Sequence, residues 1–214
     1  MDPFILAAHI QPAGVEKIID IGCGCGIIPL ILAKRHPDLK ITGIEIQAEL
    51  SGFARQNIIA NRLENNVRIL HENIKNVRLC DTNGKTDIII SNPPYKKKDS
   101  GRLNPDLQKA IARHEITLDI DLLFHSSKRL LNKTGRLYII FPAERISDLM
   151  QAMVRHAFSP DYIRFVHIKE NLAAKRVILC AKKNSSRSCV ICPPLYIYTL
   201  ENKFTEEYLS LFKP

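Results

Sequence analysis

The chain has 214 residues, of which 45% are hydrophobic and 25% charged, a balance that excludes disordered and fibrous proteins. Lys and Arg number 31 against 22 Asp and Glu, so the net charge of +9 favours a polyanionic partner such as nucleic acid. No apolar stretch reaches the ~18 residues that a membrane span requires, and no signal peptide precedes the first predicted strand. We therefore expect a cytoplasmic protein without a membrane partner, and the sequence implies no stable protein partner.

Strands and helices are predicted to alternate along most of the chain. Apolar runs predict strands at 17–21, 39–46, 67–70, 86–91 and 135–141, and helices at 27–35, 48–62, 118–131 and 143–156. Residues 72–85 are predicted to lack regular secondary structure, and the polar, Lys-rich segment 96–105 is predicted to be a mobile loop. Two further strands, 161–167 and 176–182, are predicted to pair antiparallel, and 195–198 reads as an edge strand.

This alternation predicts an α/β fold with a doubly wound, Rossmann-like, mostly parallel sheet. Seven strands ending in an antiparallel hairpin favour the class I methyltransferase variant over a six-stranded dehydrogenase. We expect residues 1–214 to form one such domain.

The six cysteines show no disulfide framework, which indicates free thiols in a reducing compartment. Cys189 and Cys192 form a CxxC pair, but a zinc site needs four ligands and no second pair follows. We therefore expect no metal.

A glycine-rich turn, DIGCGCG, follows the first strand and contains Asp20, Gly22, Gly24 and Gly26. Glycines permit a tight turn and close approach of a ligand to the backbone, and the amino terminus of the next helix favours an anionic group. The spacing differs from the dinucleotide fingerprint GxGxxG because the third glycine arrives one residue early. The turn therefore predicts a nucleoside cofactor, with a purely structural turn as the alternative.

Two polar residues follow the next strands. Glu45 ends the second strand, where an acidic side chain can accept hydrogen bonds from both hydroxyls of a ribose. Asn73 follows the third strand and is placed either to contact an adenine edge or to form a turn.

The tetrapeptide Asn92-Pro93-Pro94-Tyr95 follows the fourth strand, at the edge where open α/β sheets bind ligands. Two prolines remove two backbone donors, so carbonyl oxygens remain to accept from a ligand. Asn92 adds a side-chain acceptor, and Tyr95 adds an aromatic face. These four residues suit a planar substrate that carries an –NH2 group. The alternative is that the Pro-Pro pair only ends the strand.

Together these motifs resemble the S-adenosylmethionine-dependent N-methyltransferases. Three more segments, ARHE at 112–115, NLAAKRV at 171–177 and PPLYIY at 193–198, resemble the bacterial tRNA(Val) (adenine-37-N6)-methyltransferases, and the likeness covers essentially the whole chain. That family methylates N6 of an adenosine beside the anticodon, with S-adenosylmethionine as cofactor. The chain departs from it at Asn73, where members usually carry aspartate, and it begins within a helix that normally follows a short extra segment.

The resemblance assigns roles residue by residue. Asn92 and Pro93 would hold the adenine amino group and Tyr95 would stack on the base, so these three are the predicted catalytic residues. The cofactor would contact Asp20, Gly22, Gly24, Gly26, Glu45, Asn73 and Asn92. Pro94 and the basic residues Lys96, Lys97, Lys98, Arg102, Arg113 and His114 are the predicted substrate-binding residues. His114, with Glu115, could equally serve the structure of the loop.

Two other functions remain open at this point. A glutamine N5-methyltransferase acting on a protein also presents an –NH2 group to NPPY, but such enzymes usually carry a separate helical domain. The other alternative is a catalytically inactive relative that still binds RNA or cofactor. A DNA adenine methyltransferase is less favoured, since it typically needs a target-recognition domain.

Overall fold

The computed structural model describes residues 1–14, 16–94, 119–183 and 188–212. Within these ranges the chain forms one nine-stranded sheet with helices on both faces. The strands are β1 Lys17–Ile21, β2 Lys40–Glu45, β3 Val67–His71, β4 Thr86–Ser91, β5 Leu131–Pro142, β6 Phe158–His167, β7 Ala174–Lys183, β8 Val190–Ile191 and β9 Leu195–Tyr196. The helices are α1 Asp2–Ala8, α2 Ile27–Arg35, α3 Ala48–Ala60, α4 Ile120–Leu130, α5 Ile146–Arg155 and α6 Glu206–Ser210.

The sheet has the order β3-β2-β1-β4-β5-β7-β6-β8, with β9 also paired to β6. Strands β1 to β5 are mutually parallel, and β7 runs antiparallel between β5 and β6. The predicted α/β class, the mostly parallel sheet and the antiparallel hairpin are therefore confirmed.

The predicted count of seven strands is wrong, because β8 and β9 extend the described sheet to nine. Both pair in parallel with β6 and contain two residues each, on either side of Pro193-Pro194. Proline cannot donate to a ladder, so this edge is interrupted. Strand β9 lies within the edge strand predicted at 195–198, whereas the two residues of β8 are too few to show a periodic pattern in the sequence.

The middle of the sheet is buried on both faces, which is why its strands are continuous apolar runs. In β4, Ile88 and Ile90 pack with α1, α2 and α3, whereas Ile89 packs with α4 and α5. All three side chains are fully buried.

Several element boundaries differ from the prediction. Strand β5 begins at Leu131, directly after α4, and the predicted helix 143–156 is a 3₁₀ turn, Ala143–Arg145, followed by α5. The start of the chain is helical, as the resemblance implied, and α1 has Pro3 in its first turn, where proline is tolerated. None of the helices in the described ranges is both long enough and apolar enough to cross a bilayer.

Candidate functional site

The glycine-rich turn between β1 and α2 has left-handed backbone at its three glycines. At Gly24 φ is +56°, and a Cβ built there meets no atom within 4 Å, so the space over the turn is open to a ligand. At Gly26 φ is +84°, and a Cβ would lie 3.4 Å from Cβ of Ala54 on α3. Gly26 therefore allows the helices to pack closely, whereas Gly24 keeps the surface of the turn accessible.

Neighbouring elements hold this turn in place. The Gly22 amide donates to the carbonyl oxygen of Ile44 at 2.8 Å, and Asn57 Nδ2 of α3 donates to the carbonyl oxygen of Cys25 at 2.9 Å. Cys23 packs over Gly43 of β2, where an added Cβ would lie 2.8 Å from Cys23 Sγ. The roles of Gly43 and Asn57 in supporting this turn were not predicted from the sequence. A glycine inside a strand is a known sign of close backbone approach, but nothing in the sequence distinguishes Asn57.

Glu45, at the end of β2, is 4% exposed and connects two loops at the sheet edge. One carboxylate oxygen accepts from the Gly24 amide and the other from the Gln47 amide, each at 2.9 Å. A carboxylate oxygen has two lone pairs, so each still has capacity for a hydroxyl donor.

Asp20 lies inside β1, directly before the turn, and is 1% exposed. Neither of its carboxylate oxygens has a hydrogen-bond partner in the described part of the chain. Burial, and secondly the nearby Glu45 carboxylate, raise the pKa of Asp20 to about 8. A buried carboxyl without a partner is costly, so this position favours a ligand that brings a cation or a hydrogen-bond donor.

Asn73 follows β3 and lines a cavity of about 40 Å³ together with Gly22. Its Oδ1 accepts from the Lys75 amide at 3.0 Å, which is the turn-forming role that the sequence left open. The remaining walls are contributed mainly by Ile21, Ile44, Ile46, Ile74 and Leu122, with Glu72 also at the edge. Ile46 and Ile74 were not predicted as site residues, although each directly follows a residue that was. No signal in the sequence indicates that Leu122 of α4 lines this cavity.

The predicted substrate-binding motif begins at Asn92, directly after β4. Ser91 Oγ donates to the carbonyl oxygen of Ile21 at 2.9 Å, which joins the end of β4 to the end of β1. In the ladder between β1 and β4, Asp20 pairs with Ile90. Asn92 is therefore level with Gly22, the first glycine of the turn. Pro93 is buried and Pro94 exposed, while Asn92 is half-buried. The fold thus brings Asn92 and Pro93 beside Asp20 and Gly22, separated by one interstrand spacing of ~4.8 Å.

The other predicted substrate residues lie outside the described residues. These are Tyr95, Lys96, Lys97, Lys98, Arg102, Arg113 and His114, together with Glu115. Their roles, like those of the described site residues, stay predictions.

All six cysteines are free. Within the described ranges no group of three His, Cys, Asp or Glu side chains is arranged to hold a metal ion. Burial, with the carboxyls of Asp20 and Glu45 beside it, raises the pKa of the Cys23 thiol, so Cys23 is a neutral packing group.

The described part of the edge can therefore receive an elongated ligand with several kinds of group. Asp20 suits a cationic group, Glu45 suits hydroxyl donors, and the apolar side chains near Asn73 offer a surface against which a flat ring can pack. A sulfonium-containing nucleoside such as S-adenosylmethionine carries these three features, so the residues present fit this cofactor.

Solved structures of methyltransferases share the fold. A predicted O-methyltransferase from Agrobacterium tumefaciens superposes with a TM-score of 0.79 at 18% identity, covering 99% of this chain and 95% of that one. A putative class I S-adenosylmethionine-dependent methyltransferase from Listeria monocytogenes gives a TM-score of 0.62, also at 18% identity, covering 100% of this chain and 66% of that one.

Sequence comparison identifies the family. Residues 4–159 match the family model described as methyltransferase small domain. A tRNA1(Val) (adenine(37)-N6)-methyltransferase from Phocaeicola vulgatus is 34% identical over 99% of this chain and 87% of its own length. A protein of the same name from Porphyromonas gingivalis is 30% identical over 95% of this chain and 82% of its own length. The chain therefore belongs to the methyltransferase small domain family, and to the family of the tRNA1(Val) (adenine(37)-N6)-methyltransferases.

Proposed function

We propose that this chain transfers a methyl group from S-adenosylmethionine to the exocyclic N6 of an adenosine in tRNA, at position 37 beside the anticodon of tRNA(Val). The proposal rests on one observation: the Ser91–Ile21 hydrogen bond joins the end of β4 to the end of β1. Asn92 and Pro93, the proposed substrate-binding residues, are therefore next to the glycine turn, the proposed cofactor site. The relatives named above carry the same activity in their names. A tRNA substrate also agrees with the net charge of +9 and places the reaction in the cytoplasm.

The cofactor is assigned to the residues around the glycine turn. Asp20 would face its cationic methionine part, Glu45 would accept from the ribose hydroxyls, and Asn73 with Gly22 would border the adenine. Asn92 borders both cofactor and substrate. S-adenosylmethionine, when bound, supplies a methyl group activated by a positively charged sulfur.

Asn92 and Pro93 orient and activate the acceptor nitrogen. The lone pair of an adenine amino group is delocalised into the ring, so the nitrogen is a poor nucleophile. Asn92 Oδ1 and the Pro93 carbonyl oxygen each accept one amino hydrogen, which draws N6 towards tetrahedral geometry and localises the lone pair. Orientation of this kind accounts for much of an enzyme's rate enhancement. The proton can leave N6 after transfer, so no side chain with a pKa near 7 is required.

The target adenosine must leave its stack before it reaches this site, at a cost of a few kcal/mol. Tyr95 is the proposed stacking partner that offsets this cost. Lys96, Lys97, Lys98 and Arg102 are proposed to contact phosphates that flank the flipped base, and Arg113 and His114 are proposed to contact the same RNA segment.

The test is a methyl-transfer assay with a defined product. The 214-residue chain is incubated with methyl-labelled S-adenosylmethionine and an unmodified tRNA(Val) transcript, and digested nucleosides are analysed by mass spectrometry. We expect labelled N6-methyladenosine, and none from a matched transcript that carries guanosine at position 37. Label that appears only on glutamine of an added protein, or equal labelling of both transcripts, would refute the proposal. Cofactor binding without transfer to any RNA would favour the inactive relative.

A further inference from the structure

Two segments that the proposed function leaves unused fold against each other. The segment after β6 and the PPLYIY tail are joined by hydrogen bonds from the Ile197 amide to the carbonyl oxygen of His167 at 3.0 Å and from the Tyr198 amide to that of Ile168 at 2.9 Å. The rings of His167 and Tyr196 lie 5.4 Å apart between centroids. His167 Nδ1 also bonds the carbonyl oxygen of Leu172 at 2.8 Å, which holds the imidazole ring in place.

These segments lie on the same edge of the sheet as Asn92 and Pro93. Strand β5 ends at Pro142, which pairs with Arg176 near the start of the antiparallel strand β7. The start of β7 and the end of β6 therefore both lie at the carboxyl edge. Strand β7 is two interstrand spacings from β4, or ~10 Å, and β6 is one spacing further. An RNA loop that delivers a base to Asn92 reaches this surface within a few nucleotides.

A β-bulge at this edge turns Lys175 out of the ladder. Val166 pairs with Arg176 and His167 pairs with Ala174, so Lys175 is an extra residue with no partner in β6. Bulges at sheet edges near active sites commonly redirect a side chain. Lys175 is exposed and its side chain makes no hydrogen bond or ion pair with the described residues, whereas the neighbouring Arg176 is paired with Asp2 at 2.7 Å. The bulge thus presents a cation that no described contact of the fold uses.

The surface also lies outside the part of the chain that matches the methyltransferase small domain, which ends at residue 159. Specificity for a particular substrate commonly comes from features added to a shared fold. Lys175 directly follows Ala174, the ladder partner of His167, so an exposed lysine and two aromatic rings share this edge of the sheet. These groups have the chemistry of a single-stranded RNA contact, in which a cation binds phosphate and rings stack on a base.

We propose that Lys175 and the His167–Tyr196 ring pair form a second contact for the RNA substrate, adjacent to the methylation site. Lys175 binds a backbone phosphate of the anticodon loop, and the ring pair stacks on an unpaired base of that loop. The contact rests on the proposed function, since it takes tRNA as the substrate. Glu170 is exposed in the same turn, and its negative charge repels phosphate and so weakens the proposed contact.

The experiment compares tRNA binding by Lys175→Ala with binding by Lys40→Ala, a lysine at the opposite edge of the sheet. Affinity for an unmodified tRNA(Val) transcript is measured by fluorescence anisotropy over a salt series, separately from methyl transfer. We expect Lys175→Ala to weaken binding by about threefold to tenfold and to reduce the slope of log affinity against log salt by about 0.7. The KM for tRNA should rise by the same factor, with kcat and cofactor affinity unchanged.

Two more variants separate recognition from folding. Tyr196→Leu should weaken tRNA binding by about fivefold, whereas Tyr196→Phe should keep wild-type affinity because stacking needs only the ring. Glu170→Gln should strengthen tRNA binding, because it removes a negative charge that opposes a phosphate.

Equal affinities and equal salt slopes for Lys175→Ala and Lys40→Ala would overturn the inference, as would a Tyr196→Phe variant as weak as Tyr196→Leu. A wild-type chain that methylates tRNA while both lysine variants match it would leave the proposed function intact. Failure of the wild-type chain to methylate tRNA would instead count against the proposed function, because binding is measured independently.

Discussion

The two edges of the sheet differ in how their polar groups are satisfied. At the amino edge, Lys17 Nζ donates to the carbonyl oxygen of Asn83 and Lys40 Nζ to that of Asn65, each at 2.9 Å, beside a cleft of about 250 Å³. At the carboxyl edge the cavity beside Asn73 measures only about 40 Å³, yet Asp20 lies there with two carboxylate oxygens that no described residue bonds.

We therefore expect the ligand site at the edge that has an unsatisfied buried group, although the larger cleft lies at the other edge. A lysine that already donates to a carbonyl oxygen gains little from a ligand, because binding would exchange one hydrogen bond for another. A buried carboxyl without a partner gains a great deal. The following predictions test this difference between the edges, from the largest expected effect to the smallest.

Replacing Asn92 with Ala should lower kcat by at least about 100-fold, the scale of loss when one positioned hydrogen-bonding group is removed from a reaction site. Affinity for S-adenosylmethionine, measured by calorimetry, should change far less than kcat, because Asp20, Glu45 and the glycine turn provide the other proposed cofactor contacts. The matched control is Asn65→Ala at the amino edge, which should keep wild-type kcat. Near-native turnover of Asn92→Ala would contradict the role proposed for the Asn92 side chain.

The affinity for S-adenosylmethionine should rise with pH between 6 and 8, by up to about tenfold per unit. Burial, and then Glu45, raise the pKa of Asp20 to about 8, so below that pH the carboxyl must lose a proton before it can pair with a cation. Calorimetry in buffers of different ionisation enthalpy would detect the released proton. Asp20→Asn should bind more weakly and without this pH dependence, and an equal slope in that variant would assign the proton to another group.

The same group should make the ligand-free protein less stable as pH rises. An unfolded aspartate ionises near pH 3.9, whereas folded Asp20 keeps its proton to about pH 8. Between these values the folded state binds one more proton, so the free energy of unfolding falls by up to about 1.4 kcal/mol per pH unit. Urea titrations at pH 5 and 7.5 would measure the fall, which Asp20→Asn should reduce.

Replacing Gly24 with Ala should weaken cofactor binding several-fold, whereas Gly84→Ala at the amino edge should leave it unchanged. The two glycines form a matched pair, with φ of +56° and +96°, and a Cβ at either meets no atom within 4 Å. Both variants should therefore lose about 1–2 kcal/mol of stability through backbone strain. Equal cofactor affinities would show that Gly24 does not border the ligand.

Much of the fold could be predicted because its local signals are strong. The β1 to β4 segments contain apolar runs that only a doubly buried parallel sheet explains, and their predicted positions agree with the structure to within a residue at each end. The predicted start of β5 differs from the structure because residues 132–134, Asn-Lys-Thr, are polar and exposed or half-buried. Leu131 before them pairs with Thr86, and the regular ladder with β4 continues from Arg136. The edge strand predicted at 195–198 is present as β9, Leu195–Tyr196, and Leu195 is buried in the core. Strand β8 was not predicted, because its two exposed residues form a strand only through pairing with β6.

The candidate site divides in the same way. Asp20, the three glycines, Glu45 and Asn92-Pro93 could be identified from the sequence because each lies at the end of a predictable strand, and parallel strands bring their ends to one edge. The sequence by itself thus determined the fold class, and it predicted the carboxyl edge as the candidate site with the residue types available there. Only the tertiary structure decided that Asp20 has no hydrogen-bond partner among the described residues, that Gly43 and Asn57 support the glycine turn, and that a bulge exposes Lys175. Burial and pairing of this kind arise from contacts between residues distant in the chain, which no local pattern encodes.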